Sequence, residues 1–586
     1  MTEFSDVEDL AAQYQRRGGQ PGLAYGIVRD GELVHAAGLG ERRLGGPPPG
    51  EDTVFRIASM TKSFTAAAVL LLRDEGALAL DDLAEEYVPE LRGWPPVTAD
   101  AARISIRHLL TMTAGFPTDD PWGDRQQGLP LDEFTKFLAA GVSFAWAPGT
   151  RFEYSNLGYA ILGRVIAAVT NTEYPEFVAE RLMNPLGMTR SGYEPDSADL
   201  AYGYRRAPDG WEEVPFDACG AFAPMGGMFT CVRDLARWVA GFAAAFPPGG
   251  DQTGPRQHPL RRASRREMQL PQALTGWDRP ADFPANGTRS AYGFGLVVED
   301  DQDFGRIAGH GGGYPGFGSH MRWHPATGIG VIALGNSTYA RMSLLTAQIL
   351  GVLLRRPERA ERAERDERAA SGRTVALAPA LAPALAPRAV WPQTLAARDA
   401  VDRLLQSWDD ADADRIFSPN VAQDAPYPER HRAIARIRDR IGAFRTDQRP
   451  AEHDSPAHCR WWLSGADGVV QAQILLTPER PPRVQSLTLA VPPERGSALG
   501  DMLDGFMAWL NGGEPVPMSG KVDAGLLTRR VRAAAAWTGP CELDSYTAGN
   551  GTSTVTVRLA GQYASLTLSL TIDPADGGLV AADLIG

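Results

Sequence analysis

The sequence has little cysteine, no long apolar run and a deficit of basic charge. Its four cysteines show neither metal-ligand spacing nor a paired framework, so we expect free thiols. No apolar run reaches the ~18 residues that a membrane-spanning helix needs, and we expect no membrane partner. The net charge of -13 argues against non-specific nucleic-acid binding, which requires basic surface.

The sequence also shows neither the features of a targeting signal nor the ligand spacing of a metal site. The N-terminal residues 1–20 lack the basic start, apolar stretch and small-residue cleavage site of a signal peptide, so a cytoplasmic protein is expected. His320 and His324 are spaced as on a strand, without an acidic third ligand nearby. We therefore expect no metal and no cofactor.

Lysine is the scarcest charged residue. The 58 basic residues include only three lysines, Lys62, Lys136 and Lys521. Arginine supplies positive charge everywhere else, so a retained lysine suggests a role that arginine cannot fill, namely the loss of a proton.

The N-terminal part of the chain predicts an α/β (α+β) fold. Residues 22–40 read as a hairpin with a turn at Asp30-Gly31. Residues 59–76 predict a helix with an apolar body, and helical patterns continue to about residue 240. Strand patterns return over residues 292–337. Strands at both ends with helices between them predict one sheet, flanked by helices, that uses both termini of a domain at 1–354.

The C-terminal part changes in composition. Residues 355–394 contain a charge run and then an Ala-Leu-Pro repeat, which predict a semi-rigid linker. Two small α+β domains follow, the first accessory domain (395–495) and the second accessory domain (496–586). Each begins with a helix that ends near a tryptophan and finishes with alternating strands. The pattern loosely resembles a ketosteroid isomerase-like cone, and these domains could also form a homo-oligomer. The other interpretation is that two ordinary α+β stretches coincide.

The first motif that carries chemistry is Ser59-Met60-Thr61-Lys62. Residues three apart lie on one face of a helix, so the hydroxyl and the amine are neighbours. A lysine in an apolar helix near other cations can lose its proton and activate a serine. The structural alternative is that Ser59 only caps the helix and that Lys62 is solvated.

The second motif is Tyr154-Ser155-Asn156, which lies where a Pro-Gly loop enters an apolar helix. A phenol near an ammonium group can become a phenolate and act as a general base. An amide such as Asn156 can hold a lysine amine and a substrate carbonyl together. The structural alternative is that Ser155 or Asn156 only caps the helix.

The third motif, His310-Gly311-Gly312, lies in a glycine-rich region and is expected to begin the strand that closes the site. Glycines allow close approach of a ligand backbone to a strand edge, and the N–H of Gly313 could help to bind an oxyanion. Alone the motif means little, because a chain with 63 glycines produces His-x-Gly readily by chance.

Together, and in this order, the three motifs resemble the serine β-lactamase and penicillin-binding-protein superfamily, specifically its class C β-lactamase-like esterases and D-aminopeptidases. The resemblance covers roughly residues 5–355. It implies an antiparallel sheet flanked by helices plus a helical subdomain, with the site between them. It also implies an acyl-enzyme on Ser59, proton transfer shared by Lys62 and Tyr154, substrate orientation by Asn156, and an oxyanion hole formed by the N–H groups of Ser59 and Gly313.

One departure narrows the expected substrates. Lys-Thr-Gly is usual in the third motif of the superfamily, where the lysine meets the carboxylate of a β-lactam; a histidine, usually neutral at pH 7, binds it less well. We therefore expect a hydrolase of small amides, peptides with D-amino acids, or esters. The alternatives are an acyltransferase or peptide cyclase, a weak β-lactamase, and a catalytically silent binding protein.

Overall fold

The structure is a computed structural model that describes residues 3–355, apart from 17–18, 196–197, 208, 247–257, 276–288 and 302–303, and residues 390–585, apart from 521, 523 and 563–564. The strands of its N-terminal part are β1 (Gly22–Arg29), β2 (Glu32–Gly40), β3 (Phe55–Arg56), β4 (Gly203–Ala207), β5 (Gly210–Val214), β6 (Phe229–Thr230), β7 (Ala273–Leu274), β8 (Arg289–Tyr292), β9 (Val297–Asp301), β10 (Gly305–Tyr314), β11 (Phe317–His324) and β12 (Ile329–Gly335).

Most of the helices in this part lie between β3 and β6, as the sequence predicts. The α-helices are α1 (Ser5–Arg16), α2 (Thr61–Asp74), α3 (Ala84–Tyr87), α4 (Ile106–Leu110), α5 (Asp120–Gly123), α6 (Leu131–Ala140), α7 (Asn156–Thr170), α8 (Tyr174–Val178), α9 (Asn184–Leu186), α10 (Ala223–Gly226), α11 (Val232–Ala243), α12 (Arg262–Met268) and α13 (Met342–Leu354). Among the described residues, no helix combines the length and the apolar character needed to cross a bilayer.

The main sheet has eight strands in the order β2-β1-β12-β11-β10-β9-β8-β7. All its neighbouring strands are antiparallel. In its middle, β1 from the start of the domain pairs with β12 from near its end, with Leu23 opposite Gly335 and Val28 opposite Gly330. The expected fold class is confirmed: one sheet, flanked by helices, is built from both ends of the domain.

Helices cover both faces of the sheet, and the sequence of β12 shows why. Every residue of this strand, IGVIALG, is buried. Ile332 and Leu334 belong to the same core as Trp238 of α11, whereas Val331 and Ala333 belong to the core that contains Leu345 of α13. A strand buried on both faces reads as a continuous apolar run rather than an alternating one.

The C-terminal part contains two four-stranded antiparallel sheets. The first accessory domain contains α14 (Pro392–Gln406), α15 (Asp410–Ile416), α16 (Asn420–Asp424), α17 (Tyr427–Ile441), β13 (Arg445–Thr446), β14 (His458–Ser464), β15 (Val469–Leu476) and β16 (Val484–Ala490). The second contains α18 (Ala498–Leu510), α19 (Ala524–Thr538), β17 (Cys541–Gly549), β18 (Thr554–Gly561), β19 (Ser565–Ile572) and β20 (Leu579–Ile585).

Each accessory domain has its own apolar core. The first core runs from Val401 to Val491 and the second from Leu499 to Leu584, so the predicted boundary at 495/496 falls between them. The predicted strand alternation holds in both, with the inward apolar residues of β15 and β19 at most 2% exposed. Most of the predicted linker lies outside the described residues, but its last three residues, 392–394, already belong to α14. The cone-like resemblance stays a prediction.

Candidate active site

Ser59 lies in a short turn between strand and helix. The chain leaves β3, forms a 3-10 turn at Ala58–Met60 and enters α2 at Thr61, two residues later than predicted. Ala58 has a φ of 47°, a left-handed conformation that is costly for a residue with a side chain. Such strain next to a candidate nucleophile is typical of sites where the surrounding structure fixes the backbone.

Lys62 is completely buried, with its amine beside Ser59. Its Nζ lies 2.9 Å from Ser59 Oγ, 2.7 Å from Asn156 Oδ1 and 2.9 Å from the carbonyl oxygen of Met225. The last two oxygens can only accept, whereas the serine hydroxyl can also donate. An uncharged amine would therefore donate twice and receive the serine hydrogen bond on its lone pair. The geometry is compatible with proton transfer from Ser59 to Lys62.

Tyr154 places its ring against the same amine. The ring centroid is 4.9 Å from Lys62 Nζ, and Tyr154 borders the same cavity as Ser59. The three side chains of the first two motifs thus converge at the N-terminal end of α2, as the spacing and the resemblance predict.

Asn156 is held in place by two carboxylates at the start of α5. Its backbone N–H donates to Asp119 Oδ1 at 2.7 Å, and its Nδ2 donates to Asp120 Oδ1 at 2.9 Å. These contacts turn Oδ1 of the amide toward Lys62. Ser155 also caps α7, as the structural alternative predicts, because its Oγ accepts the N–H of Gly158 at 3.2 Å.

Asp119 anchors the start of α7 from a fully buried position. Its Oδ2 accepts hydrogen bonds from Ser155 Oγ at 3.1 Å and from the N–H of Leu157 at 3.0 Å. Burial raises the pKa of Asp119 to about 7, against the lowering effect of these donors. Asp119 and Asp120 are not among the site residues predicted from the sequence. The Asp-Asp-Pro sequence at 119–121 is a helix-start signal that could have pointed to them.

His310 lies in the middle of β10, not at its beginning as predicted. The strand already starts at Gly305, because its first half pairs with β9. The ring is only 3% exposed, with Nε2 3.1 Å from Tyr292 Oη and Nδ1 2.6 Å from the carbonyl oxygen of Gly311. Both ring nitrogens thus have partners within the protein.

The glycines after His310 let β10 run directly beside the Ser59 turn. A Cβ on Gly312 would lie 2.1 Å from the carbonyl oxygen of Ile57, and Ser319 Oγ of the adjacent strand donates to the same oxygen at 2.7 Å. A Cβ on Gly313 would lie 2.6 Å from the ring of Tyr339. The backbone contact at Gly312 excludes any side chain there and explains part of the glycine-rich motif.

One cavity of ≈ 1670 Å³ brings most of the predicted site residues together. It is lined by Ser59, Tyr154 and His310–Gly313, while Lys62 and Asn156 are buried behind Ser59. Both accessory domains also contribute to its wall, for example through Gln485 and Arg558. No motif in the sequence identifies a residue of these domains as part of the site. The described residues contain no group of three His, Cys, Asp or Glu side chains suited to a metal ion.

A comparison with known families fits this geometry. The beta-lactamase family profile matches residues 7–354, which is more than half of the chain. The chain belongs to the beta-lactamase family. This family lies in the superfamily of β-lactamase-like and penicillin-binding-protein-like serine hydrolases, and the resemblance stated from the motifs is confirmed at the level of the superfamily.

Relatives of this beta-lactamase-family chain include penicillin-binding protein 4* of Bacillus subtilis, 26% identical over 290 residues, which are 46% of this chain and 58% of the relative. Beta-lactamase-like protein 2 of Dictyostelium discoideum is 28% identical over 251 residues, covering 40% of this chain and 45% of the relative. The chain thus spans about half the length of the curated relatives it matches.

One solved structure resembles this protein over the whole length of both chains. The octameric penicillin-binding protein homologue from Pyrococcus abyssi aligns over 100% of this chain and 98% of its own, with a TM-score of 0.53 and 18% identity. At that identity the likeness concerns the fold alone, but it includes the accessory domains as well as the family domain.

Proposed function

We propose that this protein is a serine hydrolase that acts through an acyl-enzyme on Ser59. The observation that carries the proposal is the buried amine of Lys62, 2.9 Å from Ser59 Oγ and fixed by two further oxygens. Such an arrangement fits an activated nucleophile, which needs a base within hydrogen-bonding reach and a third group that orients the base.

Acylation starts when Ser59 Oγ loses its proton to the pair formed by Lys62 and Tyr154. Oγ then forms a bond to the substrate carbonyl carbon, and the π electrons of the carbonyl move onto its oxygen. The N–H groups of Ser59 and Gly313 are proposed to stabilise that oxyanion. When the intermediate collapses, the bond to the leaving group breaks, and Lys62 or Tyr154 returns the proton to it.

Deacylation repeats these steps with water. A water molecule gives a proton to the same pair and attacks the ester carbon, and Ser59 Oγ leaves with a proton. Asn156 holds Lys62 through both halves of the cycle, since its Oδ1 is turned to the amine by Asp120. Both steps use the chain's own side chains and no cofactor.

The proposed substrates are small amides, peptides with D-amino acids, or esters. His310 stands where a β-lactamase would use a lysine to bind the substrate carboxylate, so we expect at most weak β-lactam hydrolysis. The cavity beside Ser59 continues to walls from both accessory domains. We therefore expect the site to admit substrates longer than a single amino-acid amide.

Acyl transfer is the second candidate, because the same residues would form the acyl-enzyme and the open cavity beside Ser59 leaves space for an amine or alcohol acceptor. Product analysis with and without added D-alanine amide separates the two. Hydrolysis gives free acid in both cases, whereas a transferase gives the new amide in proportion to the added amine.

The accessory domains are also proposed to support a homo-oligomer. The structural relative of the same length is an octamer. Sedimentation velocity on the full chain should give a mass above the 63.1 kDa of one copy, and a single species of monomer mass would contradict this.

The proposal is tested by replacing Ser59, with Ser63 in the first turn of α2 as a matched control. Ser63 Oγ donates to the carbonyl oxygen of Met60 at 2.8 Å and is buried, like Ser59. Wild type and Ser63→Ala should hydrolyse a panel of p-nitrophenyl esters and D-aminoacyl p-nitroanilides, whereas Ser59→Ala should not. Equal activity in the Ser59→Ala variant would exclude Ser59 as the nucleophile. No activity in the wild type across the panel would argue for a binding protein.

A further inference from the structure

A glutamine of the first accessory domain connects that domain to the segment that leads into α5. Gln485 lies on β16 and is 1% exposed. Its Nε2 donates to the carbonyl oxygen of Thr118 at 2.9 Å and of Leu476 at 2.8 Å, while its Oε1 accepts the N–H of Trp122 at 3.2 Å. One side chain therefore binds its own sheet and both ends of residues 118–122, which we call the loop 118–122 and which run into the single turn of α5.

The loop that Gln485 holds is the one that orients Asn156. Asp119 and Asp120 lie between the two anchored positions, and each accepts a hydrogen bond from Asn156. Asn156 Oδ1 in turn lies 2.7 Å from Lys62 Nζ. The accessory domain is thus connected to the amine beside Ser59 by hydrogen bonds at both ends of this path and by the backbone of residues 118–122 between them.

A second connection leads from the same loop toward Tyr154. Thr118, whose carbonyl oxygen binds Gln485, also donates through Oγ1 to Glu153 at 2.6 Å. The other carboxylate oxygen of Glu153 accepts from Trp146 Nε1 at 2.9 Å. Glu153 directly precedes Tyr154, so a shift of Thr118 would move the backbone that carries the phenol.

Other contacts fix the accessory domain against this region. Arg125 forms an ion pair with Asp424 at 2.8 Å, and the N–H of Ser143 donates to the carbonyl oxygen of Pro478 at 2.8 Å. These contacts lie beside the loop but do not touch Asn156. Gln485 differs because it is buried and binds the loop backbone at two points.

We propose that Gln485 is a positioning residue for the catalytic site, through which the first accessory domain holds the loop 118–122 and thereby Asn156, Lys62 and Tyr154. This inference rests on the proposed function, since it concerns the rate of the step that those residues carry out. The first accessory domain would then help to position the catalytic residues, in addition to its proposed part in a homo-oligomer.

The test replaces Gln485 by methionine in the full chain, with Gln471→Met as the matched control. Gln471 is a 2% exposed glutamine on neighbouring β15, and its Oε1 accepts the N–H of Tyr546 of the second accessory domain at 2.7 Å. Gln485→Met should lower kcat for a small p-nitrophenyl ester, and the rate of labelling by a fluorophosphonate, by about ten- to a hundredfold, because small misplacements of catalytic groups cost that much. KM should change less than about twofold.

The control should keep wild-type kcat whatever its effect on the melting temperature. If Gln485→Met fails to fold, Gln485→Glu serves instead, since it keeps the length and the acceptor for Trp122 but not the donor to Thr118. A folded Gln485 variant with wild-type kcat, or an equal loss in Gln471→Met, would overturn the inference. If the wild type itself shows neither hydrolysis nor labelling, the proposed function fails instead.

Discussion

Replacing Lys62 by arginine tests the step that the proposed chemistry demands most directly. The amine is fully buried, with three oxygens within 2.9 Å. A guanidinium stays protonated and cannot accept the serine proton. Proton transfer by a positioned group contributes about 10²–10⁴-fold to a rate, so we expect kcat/KM to fall by about 10³, or about 4 kcal/mol of transition-state stabilisation.

The assay is kcat/KM for a p-nitrophenyl ester, measured together with the melting temperature. Lys136→Arg is the matched control, because Lys136 is exposed on α6 and its amine lies 2.6 Å from Glu133. That variant should be indistinguishable from wild type. A folded Lys62→Arg enzyme that keeps more than about a tenth of wild-type kcat/KM would refute the role of Lys62 as a proton acceptor, since such a loss would fall below the usual range for general-base catalysis.

Three further predictions follow from the same geometry. Tyr154→Phe should lower kcat for the ester by about 10²–10³-fold with little change in melting temperature, because it removes only the phenol oxygen. An unchanged kcat would show that Tyr154 takes no part in proton transfer. Gly312→Ala should abolish fluorophosphonate labelling, since its Cβ would lie 2.1 Å from the carbonyl oxygen of Ile57; normal labelling would show that β10 can move away at no cost. Burial raises the pKa of Asp119 from 3.8 to about 7, so its protonation stabilises the fold fully below about pH 4, and this contribution is lost as the pH rises through about 7. The free energy of unfolding of wild type relative to Asp119→Asn, from urea titrations, should therefore fall by about 4 kcal/mol between about pH 4 and pH 8, whereas a constant difference would contradict the assignment.

The sequence predicts the local part of the site well. Ser59 and Lys62 meet because they lie three positions apart across the turn into α2, and Ser155 caps α7 because its position precedes an apolar helix. The period-2 alternation of β15 and β19 likewise predicts which of their side chains are buried. These features depend on neighbours within a few residues, which the local pattern records.

Contacts between distant segments could not be predicted in this way. Asp119 and Asn156 are 37 residues apart, and Gln485 lies 363 residues beyond Trp122. No period or motif in either segment identifies its partner. The prediction that His310 begins β10 was wrong for a related reason. The strand begins five residues earlier because β9 pairs with its first half.

The central claim is that Ser59 forms an ester with the acyl group of the substrate. Rapid mixing with a p-nitrophenyl ester, an acid quench and mass spectrometry of the intact chain and its peptides measure this directly. The wild type should gain the mass of one acyl group on the peptide that contains Ser59, and Ser59→Ala should gain none. An acyl group on another residue, or release of p-nitrophenol with no adduct under any quench time, would contradict it.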